Sequence, residues 1–212
     1  NTQQPQEREV RVWDSFVRLF HWSLVGLMII SYFSGEFEFE IHSYSGYAIF
    51  GLVCLRVAWG FLGSHYARFS NFVFSPATVL AYIKSIIRGN PKRFLGHNPA
   101  GGIMVLALLV TLSVTTLSGM KLYAIEEGEG PFASDNQISL VTQAYADSDE
   151  LDRHKDGIDE EAEEFWEEIH EASINLLLLL ILLHVIGVAV TSKQHNENLV
   201  RAMLTGNKLP IK

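Results

Sequence analysis

Four of the eight histidines in this 212-residue chain sit in or beside strongly apolar stretches, where an ionisable ring is by default a functional candidate. They are His21, His42, His170 and His184. Imidazole nitrogens bind iron and other transition metals. Two of them on opposite sides of one iron hold a haem with no open coordination position, which favours electron transfer over oxygen binding. His170 and His184 are fourteen residues apart on one apolar segment. At about 100° per residue the later side chain returns to within about 40° of the earlier one, roughly 21 Å further along a helix. One helix can therefore present both imidazoles on one face, near opposite surfaces of a membrane. His21 and His42 lie on two earlier apolar segments, where each can face one of them. The expected cofactors are two haem b groups.

The elements that must position these residues are membrane helices. A hydrophobic share of 48% would suit a soluble protein, but the apolar residues come in long blocks. Four spanning helices are predicted at about 15–34, 44–63, 102–123 and 172–192, each with the roughly 20 residues needed to cross an apolar core about 30 Å thick. The fourth is the cleanest, with eight consecutive Leu or Ile residues from Leu176 to Leu183. The first carries Arg18 and His21 and lacks a small-residue cleavage site after its apolar run, so it reads as a retained helix rather than a signal peptide. Pro76 to Ile87 is apolar at helical spacing, with Lys84 and Arg88 nearby, and suits a short interfacial helix. Asn98-Pro99 is a helix start. Ile158, Ala162, Phe165, Trp166 and Ile169 share one face, and no proline or glycine follows them, so a continuous helix over about 158–192 is expected. The predicted fold class is an all-α membrane protein. It is a four-transmembrane-helix bundle in a single domain, 1–212, with a short interfacial helix between helices 2 and 3 and a long acidic outer loop, about 124–171, before helix 4.

Charge sets the expected orientation. Residues 121–171 hold 17 of the 24 acidic side chains and only three basic ones, Lys121, Arg153 and Lys155. The other thirteen basic residues lie before the first helix, around the 2–3 connection and after the fourth helix, which places both termini in the cytoplasm. The net charge of -8 then belongs to one outer loop. It excludes nucleic acid as a partner and suits a basic protein docking over Asp147 to Glu168 on the outer side.

Depth pairs the histidines. His21 lies about 9 Å inside the inner boundary and His184 about 12 Å from it, while His42 and His170 each precede a helix by two residues at the outer surface. The axial pairs are thus His21 with His184 and His42 with His170. Gly46 and Gly187 follow His42 and His184 by about one turn. They would let a flat macrocycle approach the backbone; the competing reading is ordinary small-residue helix packing. Arg18, with Arg8 and Arg11, could neutralise inner haem propionates. His97 reads as structural or as a headgroup contact, and His65, His154 and His195 read as solvated. The single cysteine, Cys54, excludes an intramolecular disulfide and a cysteine-ligated cluster. The absence of Cys-x-x-Cys-His excludes thioether-linked haem.

Val12-Trp13-Asp14, Arg18-Leu19-Phe20-His21-Trp22, Arg56-Val57-Ala58-Trp59-Gly60, Gly96-His97-Asn98-Pro99-Ala100-Gly101-Gly102 and Leu183-His184 resemble the prokaryotic cytochrome b561 family over about residues 10–208. That family includes the cytochrome b subunits of nickel–iron hydrogenases. The resemblance implies two b-type haems on the four histidines, in a bacterial inner membrane. It implies electron transfer between a quinone pool and a redox protein such as a periplasmic cytochrome c or dehydrogenase, and it allows a homodimer. Two alternatives accompany the electron-carrier reading. One is a membrane-anchor subunit of a periplasmic hydrogenase or similar dehydrogenase. The other, of a different class, is a non-redox scaffold that binds a basic partner through the acidic loop.

Overall fold

The computed structural model describes residues 9–35, 37, 39–133 and 148–210. Glu36, Glu38 and residues 134–147 of the expected outer segments lie outside them, as do Arg8 and the side chain of His154. The order is β1 (Val10–Arg11), α1 (Ser15–Ser34), α2 (Phe39–Leu62), two 3-10 turns (His65–Ala67 and Phe69–Asn71), α3 (Pro76–Ile87), α4 (Pro99–Glu126), α5 (Ser148–Gln194), α6 (Leu199–Thr205) and β2 (Asn207–Lys208). Four helical stretches are long and apolar enough to cross a membrane: Ser15–Ser34, Glu40–Leu62, Pro99–Glu126 and Glu160–Gln194. The fold is thus the all-α, four-transmembrane-helix class that the sequence predicts. Two boundaries differ. α2 begins early enough to place His42 inside the helix. α5 begins at Ser148, so part of the expected outer loop is helical. That segment has no proline and is rich in glutamate, a good helix former.

The chain forms two compact units, residues 1–26, 51–110 and 177–212, and residues 27–50 and 111–176. Each takes one stretch of every long helix, and each contains one of the two histidine pairs.

The first unit is closed by its loops and terminal segments. β1 and β2 pair antiparallel, Val10 opposite Lys208 and Arg11 opposite Asn207. The amides of Val12 and Trp13 both donate to the Gly206 carbonyl, at 2.8 and 3.0 Å. Gly206 has φ +88°, and a Cβ there would lie 2.6 Å from the Trp13 carbonyl oxygen, so only glycine fits. Asn198 caps α6 by accepting from the Arg201 amide. Glu197 bridges Arg93 at 3.0 Å and Lys208 at 3.7 Å. Arg93 also donates to the carbonyls of Leu209 and Pro210. Beneath these bonds Val12, Trp13, Val17, Ala67 and Ala202 form a buried core.

Asp14 is the hub of this closure. One carboxylate oxygen caps α1 by accepting from the Val17 amide at 2.8 Å. The other accepts from Trp59 Nε1 on α2, at 3.1 Å, and from Ser64 Oγ just beyond it. Burial opposes the charge, but the bonds from Ser64, Val17 and Trp59 hold the Asp14 carboxyl below the usual carboxylate range.

The second unit is joined through small hydroxyl residues. Ser45, Thr111, Thr116, Ser118 and Ser173 are all buried. Thr115 Oγ1 donates to Ser173 Oγ at 2.9 Å and couples α4 to α5. Such residues join helices where water is absent.

Replacing Asp14 by alanine is expected to cost about 1–2 kcal/mol at neutral pH, through the lost cap and the stranded donors. A depressed carboxyl stabilises fully above its unfolded value, about 3.9, and loses that contribution as pH falls through the lower folded value. The gap between wild type and Asp14→Ala should therefore narrow in acid. Thermal unfolding in detergent at two pH values checks both the size and the sign.

Candidate functional site

In the first unit, α1 and α5 bring the rings of His21 and His184 together, with centroids 6.4 Å apart and planes at 51°. In the second, α2 and α5 bring together His42 and His170, with centroids 6.2 Å apart and planes at 86°. All four are half-buried. A first-row metal binds an imidazole nitrogen at about 2 Å, and that nitrogen lies about 1 Å from its ring centre, so two trans imidazoles place their centroids about 6 Å apart. Either pair could hold an iron between its rings. Among the described residues no third His, Cys, Asp or Glu joins a pair to complete a bare-ion site. Two imidazoles alone under-coordinate a metal, and a porphyrin supplies the missing in-plane donors.

The second pair is aimed by backbone carbonyls. His42 Nδ1 donates to the Ser31 carbonyl at 2.9 Å, and His170 Nδ1 donates to the Thr115 carbonyl at 2.9 Å. Ser118 Oγ lies 3.1 Å from the same nitrogen of His170. A carbonyl can only accept, so the ring proton sits on Nδ1 and Nε2 keeps its lone pair for a metal. Two glycines let these rings lie against neighbouring backbone. A Cβ at Gly35 would be 3.3 Å from His42 Nδ1, and one at Gly119 would be 2.9 Å from His170 Cε1. Ser31, Gly35, Thr115, Ser118 and Gly119 escaped the sequence reading. The cluster of small residues in Thr115-Thr116-Leu117-Ser118-Gly119, within an apolar helix, is the signal that could have found them.

The first pair differs. His21 Nδ1 is buried with no hydrogen-bond partner among the described residues, and its ring meets Trp22 edge-on at 5.0 Å. A Cβ at Gly187, one turn beyond His184, would meet nothing within 4 Å; the same holds for Gly46 beside His42. Among the described residues, space is thus open at the Cβ position of each glycine. Arg18 Nη1 donates to the Thr205 carbonyl at 3.0 Å, while its Nε is buried without a hydrogen-bond partner among the described residues.

The remaining histidines sort by burial. His97 is wedged between Trp13 and Phe72, with ring centroids 4.7 and 4.5 Å away. Burial, then the charges of Arg56, Lys208 and His184, push it down to about 3, so it is neutral. His65 is exposed. His195, expected to be solvated, is instead half-buried, with its Nε2 sealed and unpartnered among the described residues. Glu197 and, from elsewhere in the chain, Arg93 and Lys208 lie near it.

The sequence motifs of the first unit are structural. Arg56 is 2% exposed. It donates to the Ala67 carbonyl at 3.3 Å and lies over the Phe69 ring. Gly60 leaves room for Phe69, Gly96 for Tyr66, and Gly102 for the Phe72 backbone. Asn98 Oδ1 accepts from the Gly101 amide at 2.7 Å and starts α4, as its sequence suggests.

Four membrane helices carrying facing imidazole pairs define a class, the membrane haem proteins of electron transport. The sequence profile of prokaryotic cytochrome b561 matches residues 12–206, and the chain belongs to that family. It is a multi-pass membrane b-type cytochrome. Three similar proteins are each named as a probable Ni/Fe-hydrogenase B-type cytochrome subunit. The one from Azotobacter chroococcum mcd 1 is 23% identical over 95% of this chain and 89% of its own length. Those from Azotobacter vinelandii and Rhizobium leguminosarum bv. viciae are 25% and 20% identical, over 69% and 96% of this chain and 72% and 90% of their own lengths. No solved structure matches.

Gly119→Ala tests the close approach behind His170. Alanine suits a helix, but its methyl group would displace the ring, a local overpacking of about 1–3 kcal/mol. Helical content by circular dichroism should persist while haem per chain falls.

Proposed function

We propose that the chain carries electrons across a membrane through two haem b groups, between a quinone pool and a redox partner protein. His21 and His184 hold one, and His42 and His170 hold the other. The observation that carries this reading is the presence of two imidazole pairs, each at the spacing of trans axial ligands, with α5 supplying one member of both. Bound haem iron supplies one-electron chemistry, alternating between ferric and ferrous states. The protein's part is to hold and tune. The Nδ1–H bonds of His42 and His170 fix the rings and raise their basicity. A haem held by an imidazole from each side would have no open position for oxygen. Gly46 and Gly187 keep the backbone clear for a macrocycle, and Arg18 supplies a cation for carboxylate side groups near the first pair.

The distribution of basic residues supports a bacterial inner membrane location with both termini in the cytoplasm. A second, narrower reading is a membrane-anchor cytochrome b subunit of a periplasmic hydrogenase or similar dehydrogenase. It is favoured because all three relatives bear that subunit's name. The family makes the chain a b-type cytochrome, which removes the basis for a non-redox scaffold.

The acidic surface fits a basic partner on the outer side. Asp147 and the side chains of 148–159 lie outside the described residues. Within the described part of α5, Glu160, Glu161, Glu164, Glu167, Glu168 and Glu171 are exposed. Phe165 stands 55% exposed among them.

Two experiments test these readings. Purified protein should hold about two haems per chain in a reduced-minus-oxidised spectrum. His21→Ala or His184→Ala should remove one spectral component, and His42→Ala or His170→Ala the other. A single haem in the wild type, or loss of different components within one pair, would overturn the assignment. Co-purifying partner should weaken as salt rises, because the Debye length shortens to about 10 Å at 0.1 M. Salt-independent binding would remove the acidic docking face.

A further inference from the structure

The connection between α2 and α4 borders a cavity of about 330 Å³ that haem ligation leaves unused. Its size is that of a small-molecule site. Tyr66, Phe74 and Phe94 supply apolar ring surface, Lys92, Arg93 and Asn71 supply N–H donors, and no carboxylate lines it. His97 closes one side, and its buried Nδ1 has no hydrogen-bond partner among the described residues.

The charge around the cavity is unbalanced. Arg93 and Lys208 share the single carboxylate of Glu197. Lys92 is exposed, makes no ion pair among the described residues, and lies 5.9 Å over the Phe94 ring. Of the two lysine and arginine side chains that line the cavity, Arg93 is paired with Glu197 and Lys92 is the cation left over among the described residues.

The neighbouring helix points to the ligand's other end. Tyr82 of α3 is buried and packs on Phe94 with centroids 5.6 Å apart, and Phe74 packs on the same ring at 5.9 Å. The opposite face of α3 shows Leu80, Ile83 and Ile87 at 54%, 40% and 80% exposure. Gln194, at the end of a membrane helix, donates to the Ile86 carbonyl at 3.0 Å and holds α3 at the membrane edge. A short helix with an exposed apolar face and flanking Lys84 and Arg88 lies at headgroup depth. Basic pockets at that depth take lipid phosphates.

We propose that this cavity binds a phosphate group, that of an anionic phospholipid whose acyl chains lie along the exposed face of α3. The inference rests on the position of α3 and the local charge, not on the haem assignment. It therefore stands or falls separately from that reading.

The test uses the full-length, haem-loaded protein in neutral detergent. Phosphatidylglycerol, phosphatidylcholine or inorganic phosphate is added, with lipid retention read by native mass spectrometry and stability by thermal unfolding. Phosphatidylglycerol should be retained and should raise the midpoint, while phosphatidylcholine should do neither. Lys92→Gln should weaken retention about fivefold, with the haem spectrum unchanged, and Lys92→Arg should restore it. Protection by inorganic phosphate without retention of phosphatidylglycerol would keep the phosphate site and overturn the lipid as its occupant. Equal retention of both lipids, or retention unchanged in Lys92→Gln, would overturn the proposal.

Discussion

An imidazole in an apolar helix has two ring nitrogens and no water to satisfy them. The second unit meets this constraint with the backbone of a neighbouring helix. Each ring places its Nδ1–H on a main-chain carbonyl, Ser31 for His42 and Thr115 for His170. That bond selects the tautomer, restrains the ring and leaves the Nε2 lone pair free for a metal. The ring must then lie against backbone, which is why Gly35 and Gly119 stand where they do. Because the acceptors are main-chain atoms, the aim of each ring depends on helix register rather than on the identity of the accepting residue. For His170 the bond from Thr115 Oγ1 to Ser173 Oγ, between α4 and α5, helps to hold that register.

The first unit secures its pair by other means. Among the described residues His21 has no such carbonyl, and the unit is instead tied off beyond the helix ends. Asp14 joins the start of α1 to the end of α2. Glu197 joins Arg93 to Lys208, and Gly206 receives two amides of the N-terminal segment. Most of the distinctive glycines and aromatics of this unit serve that closure. Gly60 admits Phe69, Gly102 admits the Phe72 backbone, and Trp59 reaches Asp14. The motifs that mark the family are thus largely motifs of packing, and the histidines stand within a frame that those motifs build.

Much of this was legible in the sequence. Four apolar blocks gave four membrane helices, and the fourteen-residue spacing with the charge distribution gave the two pairs that face each other in the structure. What was not legible is instructive. His42 was expected to precede its helix, because Phe39 to Ser43 carries a charge and polar groups; α2 nevertheless starts early enough to contain it. The carbonyl partners of His42 and His170 have no letter in the sequence, since every residue has a carbonyl. The role of Asp14 as a hub could not be read locally, because its partners Trp59 and Ser64 are 45 and 50 residues away. His195 looked solvated because the packing that covers it comes from elements distant in the chain.

The pairing of Val10 and Arg11 with Asn207 and Lys208 carries a consequence for biogenesis. β1 cannot meet β2 until the segment carrying Asn207 and Lys208 has left the ribosome. By then α1, α2, α4 and α5 have all been delivered to the membrane. The first unit therefore stays unlatched until β2 emerges. The latch is thus closed only in chains extended at least as far as Lys208.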